Sequence, residues 1–177
     1  CEINSSGLLE KGILVSALVD MYAKCGELVK ARKVFEQLPC RNVISWNALI
    51  SGYVQSGNCE EALKCFEQMQ VDGICPDEVT YICGLQACGS VGAFDKGEEI
   101  HAQVIRAGMI ERDILVGTTL VDMYAKCDAL AKAQEVFDQL QVRNVVSWSA
   151  LIAGYAQHGH GEEALNCVTL MRREAVS

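Results

Sequence analysis

Histidine, cysteine and glutamate are the side chains of this protein that could bind zinc and use it to hydrolyse an amine. The letters His160-Gly161-Glu162 match the H-x-E half of the zinc-deaminase signature, in which the histidine binds the metal and the glutamate transfers protons. The other half, P-C-x-x-C, does not follow. His160 also occupies the position of Asn58 in an internal repeat, at a turn between two predicted helices. The sequence therefore predicts no catalytic residue and no enzyme activity in this segment.

The ten cysteines offer a second route to metal or redox chemistry. There is no C-x-x-C, and no cysteine lies at metal-ligand spacing from a histidine. Cys25 and Cys127 are equivalent in the internal repeat, as are Cys65 and Cys167. We interpret the cysteines as structural thiols in a reducing compartment, because free cysteine packs as a small apolar side chain. Disulfides and a metal site are the alternatives, and no cofactor is predicted.

Composition indicates an ordered, globular chain. Half of the residues are apolar and 21% are charged, with a net charge of −8 that argues mildly against a nucleic-acid partner. No purely apolar run approaches the length of about 20 residues that spans a bilayer, so no membrane association is predicted. The chain begins with Cys1 and stops inside a repeat. We therefore interpret it as a fragment of a longer protein, so the absence of a targeting segment from these residues indicates nothing about location.

The elements that position these residues are repeated along the chain. VDMYAKCG at 19–26 returns as VDMYAKCD at 121–128, and SWNALISGY at 45–53 returns as SWSALIAGY at 147–155. Both segments return after the same 102 positions (121 − 19 and 147 − 45). A constant shift of this kind indicates a repeated structural unit.

Each unit reads as a pair of helices. Within 43–77, Trp46, Leu49, Ile50 and Tyr53 lie on one helical face, and a second apolar face follows the break at Gly57-Asn58. A lone hairpin cannot bury both faces, so neighbouring hairpins must stack. The predicted units are 12–42, 43–77, 78–113, 114–144 and 145–177, the last cut short, and 1–11 is the end of a preceding unit.

The chain resembles the pentatricopeptide repeat family of land plants, in the variant that alternates short, standard and long motifs. The residues that carry the resemblance are LVDMYAKCGELVKARKVFEQLPCRN, VISWNALISGYVQSGNCEEALKCFEQMQVDGICPD and TYICGLQACGSVGAFDKGEEIHAQVIRAGM. The resemblance implies one all-α array over 1–177, a right-handed superhelical solenoid of antiparallel helix-turn-helix repeats. It also implies binding of single-stranded RNA in mitochondria or chloroplasts, where such proteins select cytidines for editing to uridine. Other editing-complex proteins are implied partners, and a deaminase domain could follow in the full-length protein.

In this family one base is implied to be read by the fifth and the last residue of each motif. Aspartate can only accept a hydrogen bond, so Asp77 is expected to favour U or G, which present an N–H donor in the middle of the Watson–Crick edge. An asparagine amide can donate, so Asn42 and Asn144 are expected to favour A or C, which present an acceptor there. According to the family rule, Ser or Thr at the fifth position goes with a purine, and Asn at this position goes with a pyrimidine. The predicted target is 5′-A-U-N-A-R-3′, where N is any base and R is a purine. The reading pairs are Ser16/Asn42, Asn47/Asp77, Ile82/Asp113 and Thr118/Asn144, followed by Ser149 without its partner.

Two further sets of residues are implied to touch RNA. Apolar side chains three residues before the fifth position are implied to sandwich the bases; ordinary packing at the helix start is the alternative. These are Ile13, Ile44, Val79, Leu115 and Val146. Lys24 and Lys126 are implied to contact the RNA backbone, with i,i+4 ion pairs to Asp20 and Asp122 as the alternative.

Two rival functions remain: a protein-binding helical scaffold, and a metal or redox protein. The alternation of motif lengths and the polar reading pairs favour RNA over a scaffold, and the cysteine spacing disfavours a metal. The acidic charge is the main objection to RNA. It weakens because the glutamates concentrate in the predicted second helices, away from the reading positions. These glutamates are Glu60, Glu61, Glu67, Glu98, Glu99, Glu135, Glu162 and Glu163.

Overall fold

The computed structural model describes residues 3–38 and 40–174, with the backbone alone described for 3–13 and Glu111. In this part of the chain there are eleven helices and no strand. The helices are α1 (Ile3–Lys24), α2 (Leu28–Glu36), α3 (Val43–Gln55), α4 (Cys59–Val71), α5 (Glu78–Val91), α6 (Phe94–Arg106), α7 (Met109–Arg112), α8 (Ile114–Lys126), α9 (Leu130–Gln139), α10 (Val145–Gln157) and α11 (Gly161–Glu174). The predicted all-α class is confirmed.

Ten of the helices form five hairpins, α1/α2, α3/α4, α5/α6, α8/α9 and α10/α11, in which two or three residues join the partners. Such short connections make the two helices of a hairpin antiparallel. The chain divides into two compact units, Cys1–Gly84 and Leu85–Ser177. Each unit is described by itself. The winding of the hairpins into a right-handed superhelix and the motif boundaries stay predictions.

The first hairpin turn and its repeat differ by one residue. Gly26, between α1 and α2, has φ +75°, and Asp128, between α8 and α9, has φ +59°. Asp128 is the only non-glycine residue with positive φ among those described. Aspartate and asparagine tolerate this left-handed conformation better than other L-residues. The difference between VDMYAKCG and VDMYAKCD therefore preserves the turn.

Two tryptophans join neighbouring hairpins at equivalent places. Trp46 of α3 packs edge-on against Phe35 of α2, with ring centroids 4.5 Å apart. Trp148 of α10 packs in the same way against Phe137 of α9, again at 4.5 Å. Both indoles are buried. Each tryptophan is therefore buried between helices of neighbouring hairpins.

First helices cross closely because glycine lies at the crossing. A Cβ built on Gly52 of α3 would lie 2.5 Å from the Cβ of Ala23 on α1. The equivalent distance from Gly154 on α10 to Ala125 on α8 is 2.6 Å. Both distances are well inside van der Waals contact. A side chain at either glycine would therefore push two first helices apart.

No helix break marks the predicted boundary between 1–11 and 12–42. α1 runs unbroken across it, from Ile3 to Lys24. In the second copy Asp113 separates α7 from α8 and caps α8, its carboxylate accepting from Leu115 N–H at 2.7 Å. The position 102 residues earlier holds Lys11, which has no acceptor. Without a capping side chain the helix has no local signal to begin anew.

Candidate functional site

One face of each first helix packs on its neighbours and another lines an open cleft. On α3 the buried face carries Trp46, Leu49 and Ile50, whereas Asn47 and Ser51 lie on a separate stripe. Residues three, four and seven apart share a helical face, so this stripe includes Ile44 and Gln55. On α1 the corresponding stripe is Ser16, Ala17, Asp20 and Lys24.

These two stripes and the beginning of α5 enclose the α1–α3 cleft, with a volume of about 780 Å³. The cleft brings together both residues of the first predicted reading pair, Ser16 and Asn42, and both residues of the second, Asn47 and Asp77. Its remaining lining residues are Ala17, Asp20, Lys24, Ile44, Ala48, Ser51, Gln55, Val79 and Cys83. No glutamate is among them, so the acidic second helices do not contribute their carboxylates to this cleft.

Asn47 and Asp77 are hydrogen-bonded to each other inside the cleft. The Nδ2 of Asn47 donates to Oδ1 and Oδ2 of Asp77, at 2.8 and 3.0 Å. Thr80, fully buried, donates through its N–H to Asp77 Oδ1 at 3.0 Å. Its hydroxyl oxygen lies 2.6 Å from Asn47 Oδ1 and 2.9 Å from Asp77 Oδ1. The fifth and last residues of this predicted motif thus form one preorganised polar group.

This network keeps Asp77 ionised. Burial raises the pKa of its carboxyl, but the hydrogen bonds from the Thr80 N–H and the Asn47 amide work against burial, and the net pKa is lowered. A carboxylate that is ionised at neutral pH can only accept hydrogen bonds. The cleft therefore offers an obligate acceptor at this point.

Asn42 and Asn144 are the N-caps of α3 and α10. The Oδ1 of Asn42 accepts from Ser45 N–H at 2.9 Å, and the Oδ1 of Asn144 accepts from Ser147 N–H at 2.8 Å. In both cases the serine hydroxyl accepts from the asparagine N–H, which completes a capping box. Because the helix N–H groups engage the amide oxygen, the Nδ2 group is the part of each side chain left to meet another molecule.

The fifth-position residues of the second unit differ in exposure. Thr118 on α8 is buried, and its Oγ1 has no hydrogen-bond partner among the described residues. Ser149 on α10 is exposed. Ile82 is half-buried on α5 in the first unit, whereas Asp113 caps α8 in the second, so the Ile82/Asp113 pair stays a prediction.

The apolar residues three positions before the fifth are exposed. The exposed fraction is 67% at Ile44, 49% at Val79, 52% at Leu115 and 59% at Val146. Side chains that served only to pack a helix start would be buried, so these values count against the packing alternative. The side chain of Ile13 lies outside the described part of the chain.

Both predicted phosphate-contacting lysines form the ion pairs named as their alternative. Lys24 Nζ lies 2.7 Å from Asp20 Oδ2, and Lys126 Nζ lies 2.7 Å from Asp122 Oδ2. Lys24 also lines the α1–α3 cleft. Exposed i,i+4 pairs are worth only about 0.3–0.5 kcal/mol, so they do not prevent either ammonium from turning to a phosphate.

The residues with metal or redox potential are dispersed. His160 lies in the turn before α11, with Nδ1 3.7 Å from Glu163 Oε1. The described part of the chain holds no group of three His, Cys, Asp or Glu side chains placed to bind a metal ion. Burial raises the pKa of Cys65 and Cys83 to about 11 and that of Cys88 to about 12, so these thiols are protonated at neutral pH. None of the described helices is long and apolar enough to cross a bilayer.

Sequence reasoning missed Thr80, Ser45 and Ser147, which hold the last-position residues in place. A signal was present, since Asn42-x-x-Ser45, Asp77-x-x-Thr80 and Asn144-x-x-Ser147 each have the spacing of a helix N-cap with a hydroxyl partner.

Comparison with known sequences yields consistent matches. Residues 41–90 match the PPR repeat family, and residues 13–43, 118–145 and 146–176 match the PPR repeat. A pentatricopeptide repeat-containing protein of Arabidopsis thaliana is 41% identical over 172 residues, which cover 97% of this chain and 25% of that protein. Another from the same plant, named as mitochondrial, is 38% identical over 174 residues, covering 98% of this chain and 31% of that protein. The chain thus spans a third or less of either relative.

Among solved structures, the pentatricopeptide repeat protein PPR10 in complex with an 18-nt psaJ RNA element has a TM-score of 0.76 to this chain. The sequence identity is 19%, and the likeness covers 94% of this chain and 26% of PPR10. At this identity the likeness is one of fold.

Proposed function

Because the chain belongs to the pentatricopeptide repeat family, we propose that it binds single-stranded RNA in a sequence-specific manner, with one base to each motif. The observation that carries this proposal is the Asn47–Asp77 hydrogen-bonded pair in an open cleft whose lining includes the exposed side chains of Ile44 and Val79. A nucleobase has two apolar faces and a polar edge. Two aliphatic side chains suit the faces, and the Asn47–Asp77 pair suits the edge.

The Asp77 acceptor favours uracil or guanine, and the family rule for asparagine at the fifth position selects the pyrimidine, uracil. Asp77 accepts, which matches the N3–H donor in the middle of the Watson–Crick edge of uracil and opposes the acceptor at the same place in cytosine. Asn42 and Asn144 present Nδ2 donors, which match the acceptors of adenine and cytosine. With the fifth-position residues added, the target is 5′-A-U-N-A-R-3′, read parallel to the chain. Recognition by PPR10 of an RNA element supports the choice of ligand.

The parent protein is proposed to act in an organelle, as a factor that marks cytidines for editing to uridine. The order of short, standard and long motifs at 12–42, 43–77 and 78–113 supports this subtype, and a mitochondrial relative supports an organellar location. Chloroplasts are the other candidate compartment. Organellar RNA and other editing-complex proteins are the proposed partners, and any deaminase chemistry belongs to another domain.

Binding of fluorescent single-stranded RNA to the 177-residue chain tests the first proposal. RNA that contains 5′-AUNAR-3′ should bind more tightly than RNA of the same composition with that segment scrambled, at one fixed salt concentration. Equal affinity for the two RNAs would remove sequence specificity. No affinity for any single-stranded RNA would favour the protein-scaffold function instead.

The editing role has its own test. Loss of the parent protein in its plant should abolish C-to-U conversion at an organellar site whose upstream sequence fits the target. Unchanged conversion at all organellar sites would overturn the editing role and leave RNA binding intact.

A further inference from the structure

The hydroxyl residues three positions after the last-position readers are not themselves predicted readers, yet each contacts one. Ser45 follows Asn42, Thr80 follows Asp77 and Ser147 follows Asn144. All three are fully buried. Their contacts fix which atom of the reader is free.

An asparagine amide can be turned by 180°, which exchanges a donor for an acceptor, so on its own it reads no base unambiguously. At Asn42 and Asn144 the ambiguity is removed. The serine N–H needs an acceptor and therefore holds Oδ1, at 2.9 and 2.8 Å. The serine hydroxyl accepts from the asparagine N–H at 3.1 and 3.0 Å and lies 2.9 Å from its carbonyl oxygen. Nδ2, a donor, makes no hydrogen bond to the described residues and is left to meet a base.

At Asp77 the carboxylate accepts in any orientation, and the same device fixes its place. The Thr80 N–H donates to Oδ1 at 3.0 Å, and the Thr80 hydroxyl lies 2.9 Å from the same oxygen. Among the described residues, Oδ2 accepts only from the Asn47 amide, at 3.0 Å, and keeps a free lone pair. The Thr80 hydroxyl also lies 2.6 Å from Asn47 Oδ1, so donation to that oxygen turns the Asn47 amide with Nδ2 toward Asp77.

The long-to-short junction lacks this hydroxyl. Residue 116 is valine, and Asp113 accepts instead from Leu115 N–H at 2.7 Å. The backbone of Asp113 differs accordingly, with ψ 107° against 172° at Asn42 and 173° at Asn144. The cap residue that lacks a hydroxyl partner therefore also has a different backbone conformation.

We propose that Ser45, Thr80 and Ser147 are positioning residues: Ser45 and Ser147 set which amide group of Asn42 and Asn144 meets a base, and Thr80 fixes the place of the Asp77 carboxylate and the orientation of the Asn47 amide. This inference rests on the proposed RNA binding. Each of these three readers is the last residue of one predicted motif and is held by a hydroxyl residue of the next motif.

Thr80→Val tests the proposal, because valine keeps the shape of threonine and removes the hydroxyl. Four RNAs that differ only at the second letter of the target are titrated against the wild type, Thr80→Val, Thr80→Ser and Thr119→Val. Thr119 is the matched control, since its hydroxyl is also buried but bonds the Leu115 carbonyl at 2.7 Å within α8. Circular dichroism melts confirm that each variant is folded.

The U-over-C preference of the wild type should fall by about fivefold in Thr80→Val, the worth of one typical hydrogen bond. Thr80→Ser and Thr119→Val should keep it. A folded Thr80→Val with the wild-type preference overturns the proposal. If Thr80→Val does not fold, Ser147→Ala decides at the fourth letter. Alanine keeps the N–H that holds Asn144 Oδ1 but removes the hydroxyl that holds the Asn144 backbone in the orientation this contact needs. The A-over-G preference should therefore fall, and an unchanged preference overturns the proposal. If the wild type binds no RNA, the proposed function fails and this inference fails with it.

Discussion

Asn47 donates to both carboxylate oxygens of Asp77, at 2.8 and 3.0 Å, although 30 residues of chain separate them. Asn47 lies on α3, and Asp77 lies one residue before α5, the first helix of the next hairpin. Asn47 and Asp77 can meet only if the chain between them, which includes α4, has the length that brings Asp77 back to the cleft lined by Asn47. The length of the repeat and the chemistry of the cleft are therefore coupled.

The tryptophans are expected to contribute a large part of each hairpin interface. Trp46→Ala or Trp148→Ala should lower the free energy of unfolding by about 3–5 kcal/mol, as other large core truncations do. Urea denaturation followed by circular dichroism measures it. Trp46→Phe is the control and should cost less, because it keeps an aromatic ring against Phe35. A loss below about 1 kcal/mol for Trp46→Ala would contradict the observed burial.

The glycine at the crossing of α1 and α3 predicts an unusual cost for a small substitution. Gly52→Ala should destabilise the chain by about 1–3 kcal/mol, because the new Cβ meets Ala23 and the helices must separate. Gly161→Ala is the matched control. Gly161 is also helical and a Cβ there meets nothing within 4 Å. Equal thermal shifts for the two variants would mean that the α1–α3 crossing is looser than described.

Much of this arrangement follows from the sequence, because it depends on local patterns. Trp46, Leu49 and Ile50 repeat at helical spacing, so their shared buried face is predictable. The unbroken α1 was not predictable from the repeat, since the copies differ where Asp113 caps α8. The contact between Thr80 and Asn47 joins residues 33 positions apart. It depends on how two hairpins dock, which periodicity does not specify.

A buried imidazole predicts loss of stability in mild acid. His101 Nδ1 lies 2.8 Å from the Tyr124 hydroxyl, and Nε2 is buried without a partner among the described residues. Burial lowers the pKa of His101 and outweighs the nearby charge of Glu135. The unfolded chain takes up this proton near the usual value of about 6.5, whereas the folded chain does not. Stability is therefore present above that pH and is lost as the pH falls toward the lowered value.

Unfolding free energies at pH 7, 6 and 5 check this sign. The wild type should lose stability across the range, and His101→Gln, which cannot titrate, should lose less of it. Parallel pH profiles for the two proteins would show that His101 does not carry the effect.

A lysine that contacts phosphate should act on every RNA alike. Lys126→Ala is expected to weaken binding to all sequences and to reduce the slope of log affinity against log salt by about 0.7, the value for one contact with single-stranded nucleic acid. Lys64→Ala is the control, since Lys64 pairs with Glu61 on the second helix α4, whereas Lys126 lies on the first helix α8. A Lys126→Ala variant with the wild-type salt slope would mean that the pair with Asp122 is its whole role.

Base preference at the second letter of the target, in wild type and Asp77→Asn, tests the central claim most directly. Four RNAs that carry A, C, G or U at this letter are titrated at one salt concentration. The wild type should prefer U, and Asp77→Asn, which presents a donor where the carboxylate accepted, should prefer C, with a change of about 1–3 kcal/mol in discrimination. If both proteins bind RNA with the same order of bases, Asn47 and Asp77 do not read the base, and the account of this cleft is wrong.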